Sequence, residues 1–189
     1  MNKVGLMFSV QTENKGIGKY IEAFAMQKLV KSMAKEFNKS YGKQVKCVTG
    51  SMLRSLGGNI DWMNKQKLIF CVDNHSDAGP STAEGRTVFF DHRPNKGNSY
   101  KIAKEFYDTF GLVDISKGRG LKSDKTDRFP NGMGAIQSIN CPGILIEHMF
   151  HTNKKEVQRF EKRPDDYVRA GVLAIVRSLD ALNPKYLKL

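Results

Sequence analysis

Cysteine is scarce: Cys47, Cys71 and Cys141 are the only three in 189 residues. They are too few and too scattered for a disulfide framework, a Cys-based zinc finger or a redox pair, and Cys71 lies inside an apolar run where a small buried hydrophobe is expected. No apolar run approaches the roughly 20 residues needed to span a bilayer, and the opening stretch from Met1 to Val10 turns polar too soon for a secretory signal. Synthesis in a cytoplasm is therefore expected, with no cleaved leader and no stable membrane insertion. Repeats, low-complexity tracts and interdomain linkers are missing as well, so the chain reads as one domain over residues 1–189. With 40% hydrophobic and 26% charged residues, it has the composition of a globular domain with a sizeable core, which excludes a disordered tail or a fibre.

Acid is the other deficit. Lysine and arginine number 31 against 19 aspartates and glutamates, a net charge of +12. The excess is local, because twelve basic and only four acidic residues lie between Met1 and Lys67. Such a field attracts polyanions, and composition does not choose among nucleic acid, an anionic membrane surface and an anionic cell-wall polymer. A solvated lysine-rich face is the plain alternative. Nucleic acid ranks below the others, since there is no RNP-like aromatic strand, helix-turn-helix signature or zinc finger.

Hydrophobic spacing sets the order of elements. Val4 to Val10 reads as a short buried strand, and Gln11 to Gly18 as the loop into a helix from Tyr20 to Asn38. On a wheel of that helix Met26, Leu29, Met33 and Phe37 form one stripe, while Lys28, Lys31, Lys35 and Lys39 occupy the other side. Gln44 to Thr49, Lys67 to Asp73 and Arg86 to Asp91 read as further strands, and Ser99 to Phe110 as a helix. Pro142 to Glu147 is an apolar strand, and Asp165 to Leu182 a closing helix with Val168, Val172, Ile175, Val176 and Leu179 at helical spacing before Pro184. Strands alternating with helices predict an α/β fold, with a mostly parallel twisted sheet covered by helices on both faces.

Three polar residues interrupt these apolar patterns. Glu22 falls within about 40° of Met26 and Leu29 on the wheel, inside the core-facing stripe. It is either a buried carboxylate needing a cation, backbone donors or a metal, or an acid capping the first turn, and helix geometry alone does not choose. His75 is expected to project beyond the carboxyl end of the third strand, where ligand sites of open α/β sheets gather. Glu147 ends the apolar strand Gly143-Ile144-Leu145-Ile146 and is followed by His148, Met149, Phe150 and His151. A lone histidine is more often a satisfied hydrogen-bonding residue than a ligand, but three junctions each presenting such a group converge on a site.

In their order these motifs resemble the zinc-dependent N-acetylmuramoyl-L-alanine amidases of phage endolysins and bacterial cell-wall enzymes. Glu22 early in the first helix, His75-Ser76-Asp77-Ala78 in place of a His-x-Asn-Ala motif, the strand Thr87-Val88-Phe89-Phe90, Arg119-Gly120-Leu121-Lys122, and Gly143 to Glu147 followed by Phe150, Asn153 and Glu156 carry the resemblance. It implies Glu22 and His75 as ligands of one Zn²⁺ per chain, Glu147 as the catalytic carboxylate, and Asp77 and Arg119 on the substrate. It also implies hydrolysis of the amide joining N-acetylmuramic acid to the L-alanine of the stem peptide. Zinc takes nitrogen and oxygen ligands and keeps one position open for water, and a nearby carboxylate moves the proton.

One departure stands out. The family places a histidine after its first strand, whereas this chain reads Phe8-Ser9-Val10-Gln11-Thr12 and has no histidine before His75. Gln11 is the positional equivalent, with an amide oxygen that binds zinc weakly compared with imidazole. His148 or His151 could be recruited instead, although a solvent-facing or second-layer place is the preferred reading for both. A third outcome is a decayed metal site in a protein that binds peptidoglycan without cutting it. The leading expectation is a monomeric phage lysin that acts at the wall and holds anionic polymers through Lys28, Lys31, Lys35 and Lys39. A catalytically silent wall-binding or virion protein is the alternative. Other zinc hydrolases such as carboxypeptidases rank next, and the absence of an HExxH helix removes the commonest metalloprotease pattern.

Overall fold

The computed structural model describes residues 1–112 and 117–188. Its elements are β1 (Asn2–Phe8), α1 (Glu22–Tyr41), β2 (Val45–Thr49), α2 (Leu56–Asn64), β3 (Leu68–Asp77) and β4 (Arg86–Phe90). They continue with α3 (Asn98–Leu112), β5 (Gly118–Ser123), α4 (Gly134–Ser138), β6 (Gly143–Phe150), α5 (Lys154–Lys162) and α6 (Pro164–Leu182). One six-stranded sheet runs in the order β2-β1-β3-β6-β4-β5. β2, β1, β3 and β6 are mutually parallel; β4 runs antiparallel to β6 and parallel to β5. The sheet is thus mostly parallel, with a reversal at β4 that hydrophobic spacing does not register.

Alternation along the strands divides the side chains between two faces. Val4, Leu6 and Phe8 of β1, Phe70 and Val72 of β3, and Ile144 and Ile146 of β6 share the main core with Met26, Met33 and Phe37 of α1 and with residues of α3 and α6. Met7 and Cys71 point to the other side, where Ile60 and Met63 of α2 and Ile139 form a much smaller cluster. One face therefore carries a thick helical layer and the other a thin one. The stripe Met26, Leu29, Met33, Phe37 is buried and Lys28, Lys31, Lys35 and Lys39 are exposed, as the wheel predicts.

The anticipated strands and helices are present, with shifts of a few residues at their ends. β3 differs in a way that matters: it extends through Asp77, so His75 stands within the strand rather than in a loop beyond it. α2, β5, α4 and α5 are additional. Asn153 caps α5, accepting from the backbone N–H groups of Lys155 and Glu156. Its amide also donates to the Ala83 carbonyl, and Glu156 accepts from the Gly85 and Phe150 N–H groups. These two residues of the family-like motif therefore tie the β3–β4 loop to the end of β6.

Candidate active site

Glu22 is the first residue of α1, preceded by an extended Ile21 that provides no side-chain cap. Its carboxylate lies at the positive end of the helix dipole and is only 1% exposed. Instead of closing its own helix turn it reaches across to β3. There Oε1 accepts a hydrogen bond from the Ser76 N–H at 3.0 Å and stands 3.1 Å from His75 Nδ1. Oε2 accepts from Asn14 Nδ2 at 2.7 Å. Burial raises the carboxyl pKa, but hydrogen bonding and charge from His75, with help from Asn14 and Ser76, outweigh it and leave the pKa below its ordinary value. Of the two readings open for Glu22, the structure supports the buried, partnered carboxylate.

His75 is held from both sides. Nδ1 faces Glu22, and Nε2 lies 3.1 Å from Asp73 Oδ2. Burial alone would make the ring less basic, yet the Asp73 charge and the contacts to Asp73 and Glu22 push its pKa well above 6.5. Beside it in register, on the adjacent parallel strand, stands Glu147, which pairs on its other side with Thr87 of β4. The Oε2 atom of Glu147 is buried without a hydrogen-bond partner. Burial pushes its pKa up to about 8, opposed by the His75 charge and assisted by Asp77, Glu22 and Asp73.

Asp77 and Arg119 meet at the edge of this site. Arg119 Nη1 is 3.4 Å from Asp77 Oδ2, and its guanidinium lies 4.6 Å over the Phe150 ring. The reversal of β4 produces this meeting, because β5, parallel to β4, begins at the edge where β3 and β6 end.

Gln11 does not reach His75. Its Oε1 accepts from Asn14 Nδ2 at 2.9 Å, so the path from Gln11 to Glu22 runs through the Asn14 amide. His148 is excluded as a ligand. It is fully buried on the opposite face from Glu147, with Nε2 3.0 Å from Asn74 Oδ1 and its ring 5.1 Å from Phe110 and 6.0 Å from Tyr167. Burial holds it neutral, with a pKa near 3. His151 takes a supporting place: its Nδ1 lies 3.0 Å from Ser76 Oγ, and its ring stacks on Tyr20, whose hydroxyl donates to the same Oγ. Asn14, Tyr20, Asp73 and Ser76 were not singled out from sequence. Asn14 and Ser76 sit among polar neighbours, and Asp73 and Tyr20 pass as the ends of elements.

The donors suit a divalent cation in part. Two ligands of a tetrahedral zinc with bonds of about 2.0–2.1 Å stand about 3.3 Å apart, close to the 3.1 Å between Glu22 Oε1 and His75 Nδ1. Three carboxyl groups, Glu22, Asp73 and Glu147, also surround the His75 imidazole, and Glu147 Oε2 and Asp73 Oδ1 have no hydrogen-bond partner. A third strong donor does not converge on the same point. Among the described residues the group that brings three such atoms within 4.8 Å is Asp91, His92 and Asp124, at the far end of β4. That group is already engaged by Arg93, Gln137 and the Met133 N–H. A groove of about 570 Å³ between α1 and the α5–α6 junction contains neither His75 nor Glu147.

With this geometry in place, comparison with known proteins is decisive at the level of family. The sequence profile of the N-acetylmuramoyl-L-alanine amidases matches residues 11–179. The chain belongs to this family. None of the curated proteins matches it in sequence. Among solved structures, an N-acetylmuramoyl-L-alanine amidase from Clostridium difficile 630 superposes with a TM-score of 0.80 at 19% identity, covering 94% of this chain and 97% of that one. AmiC2 of Nostoc punctiforme, another N-acetylmuramoyl-L-alanine amidase, gives 0.75 at 16% identity, with 94% and 97% covered. The catalytic domain of an endolysin targeting Clostridium difficile gives 0.71 at 20% identity, with 92% and 96% covered. At these identities the amidase fold is what is shared.

Proposed function

We propose that this amidase-family chain is a peptidoglycan hydrolase of the phage-lysin type, cutting the amide between N-acetylmuramic acid and L-alanine. The observation that carries the reading is the Glu22 carboxylate brought from α1 to within 3.1 Å of His75 Nδ1, with Glu147 beside His75 in strand register. Glu22 and His75 would hold one Zn²⁺, with Gln11 as the weak candidate for a further position. When bound, the metal supplies Lewis acidity that activates water and polarises the scissile carbonyl. Glu147 then moves the proton. Burial raises its carboxyl to about 8 in the metal-free chain, so it is largely protonated near neutrality; the charge of a bound cation would lower it toward the ionised form, whose buried Oε2 can take a proton from water and return it to the leaving amine. Arg119 and Asp77, at the rim of the same edge, orient the stem peptide.

The lysine stripe has a place in this reading. Lys28, Lys31, Lys35 and Lys39 are exposed along α1, on the layer opposite the thin face, and Lys43 and Lys46 extend the basic surface around a pocket of about 510 Å³. This surface would hold a monomeric enzyme to anionic wall polymers without occupying its site. Synthesis in the host cytoplasm belongs to the same proposal.

A second reading rests on Gln11, which stands where the family has an imidazole and is engaged by Asn14. It makes the chain a silent amidase-like module that binds wall or virion. Zinc content of the purified chain, measured with release of L-alanine amino groups from peptidoglycan with and without chelator, separates the two. About one zinc per chain and chelator-sensitive release are expected of the hydrolase. Folded protein with neither, on several wall types, overturns it in favour of the module.

A further inference from the structure

Asp73 precedes His75 by two residues on β3 and so shares its face of the sheet. Its register neighbours are Met7 of β1 and Leu145 of β6, and it is 3% exposed. A carboxylate among a thioether and an aliphatic side chain carries a heavy desolvation penalty, and nothing in that packing calls for one. Neither oxygen takes part in a well-aligned hydrogen bond. The partner it has among the described residues is the His75 ring, through Oδ2 at 3.1 Å from Nε2. Glu22 occupies the opposite ring nitrogen. The imidazole is thus held between two carboxylates, one at each nitrogen, and a ring flip would put a carbon where each nitrogen stands and lose both contacts.

We infer that Asp73 is a positioning residue for His75: through Nε2 it fixes the ring so that Nδ1 faces Glu22 and makes that nitrogen a stronger metal donor. The inference rests on the zinc reading above. An imidazole whose second nitrogen meets a carboxylate is oriented in one tautomer and is more basic toward metal. The device fits a site in which Gln11 replaces an imidazole, because the histidine that remains must bind more strongly. Asp73 meets the ring at Nε2 and Glu22 meets it at Nδ1, so Asp73 acts through the imidazole.

The test is zinc affinity by competition with a chromophoric chelator, on wild-type protein and Asp73→Asn, alongside thermal melting of both after metal removal. The variant is expected to bind zinc about 10- to 100-fold more weakly, while its metal-free form melts no lower than metal-free wild type. A purely structural role would lower the melting temperature and leave the affinity of the folded protein unchanged, which overturns the inference. Equal affinity in a variant of unchanged stability also overturns it, and leaves the zinc reading intact. No zinc bound by wild type overturns both. Should Asp73→Asn fail to fold, Asp73→Glu keeps the charge and is read by visible absorption with Co²⁺. Altered ligand-field bands support a role at the metal, and bands identical to wild type overturn it.

Discussion

The proton transfer proposed for Glu147 rests on one atom, a buried Oε2 without a hydrogen-bond partner. Glu147→Gln keeps the shape and removes that capacity. Turnover on peptidoglycan is expected to fall by about 10²- to 10⁴-fold with zinc content unchanged, and undiminished release of amino groups would remove Glu147 from the mechanism. Gln11 supports the converse experiment. Gln11→His offers an imidazole in the loop that already touches Asn14, and zinc affinity by chelator competition is expected to rise at least about tenfold. Glu22, His75 and Glu147 were legible in the sequence because each places charge in an otherwise apolar pattern, where burial without a partner is costly. Asp73 and Asn14 were not. A single aspartate at an apparent strand end and an asparagine in a polar loop look like ordinary punctuation until the fold brings them against His75 and Glu22.

α1 shows why whole elements were easier to read than their ends. Its stripe of Met26, Leu29, Met33 and Phe37 is a strong periodic signal, and the helix buries all four. Phe37 is completely buried in the main core, so Phe37→Ala is expected to destabilise the chain by about 3–5 kcal/mol in urea or thermal unfolding. A loss under about 1 kcal/mol would mean that the layer beneath α1 can collapse into the space. The short elements gave no comparable signal. α4 has five residues, and α2 buries only Asn59, Ile60 and Met63, too few for a period to show. The direction of β4 was illegible for a different reason: alternation sets which face a side chain takes and carries nothing about parallel or antiparallel pairing.

Across the whole molecule, charge and burial respond to solution conditions in separate ways. Binding to purified cell walls is expected to weaken with added salt. Reversing Lys28, Lys31, Lys35 and Lys39 to Glu should abolish most of that salt dependence, and a variant binding like wild type would show the stripe to be only a solvated face. Acid acts through the core. His148 is held neutral in the folded chain with a pKa near 3, against 6.5 for the unfolded one, so between these values the unfolded state binds the extra proton. Its contribution to stability is complete above pH 6.5 and is lost as pH falls toward 3, and His148→Gln should flatten that slope in urea unfolding. Glu147 acts in the opposite sense. A carboxyl raised from 4.5 to about 8 stabilises the metal-free chain at low pH, and that contribution is lost as pH rises through this interval.

The pairing of β3 with β6 also governs when activity can arise. Ser76 and His151, in contact across the end of this pair, are 75 residues apart in sequence, and a loop of that length closes late and slowly compared with the turns of α1 or α6. His75 and Glu147 acquire each other as strand neighbours only at that closure. During refolding, helical signal should therefore return before hydrolysis does, because a chain still short of β6 lacks Glu147, the carboxylate proposed to move the proton.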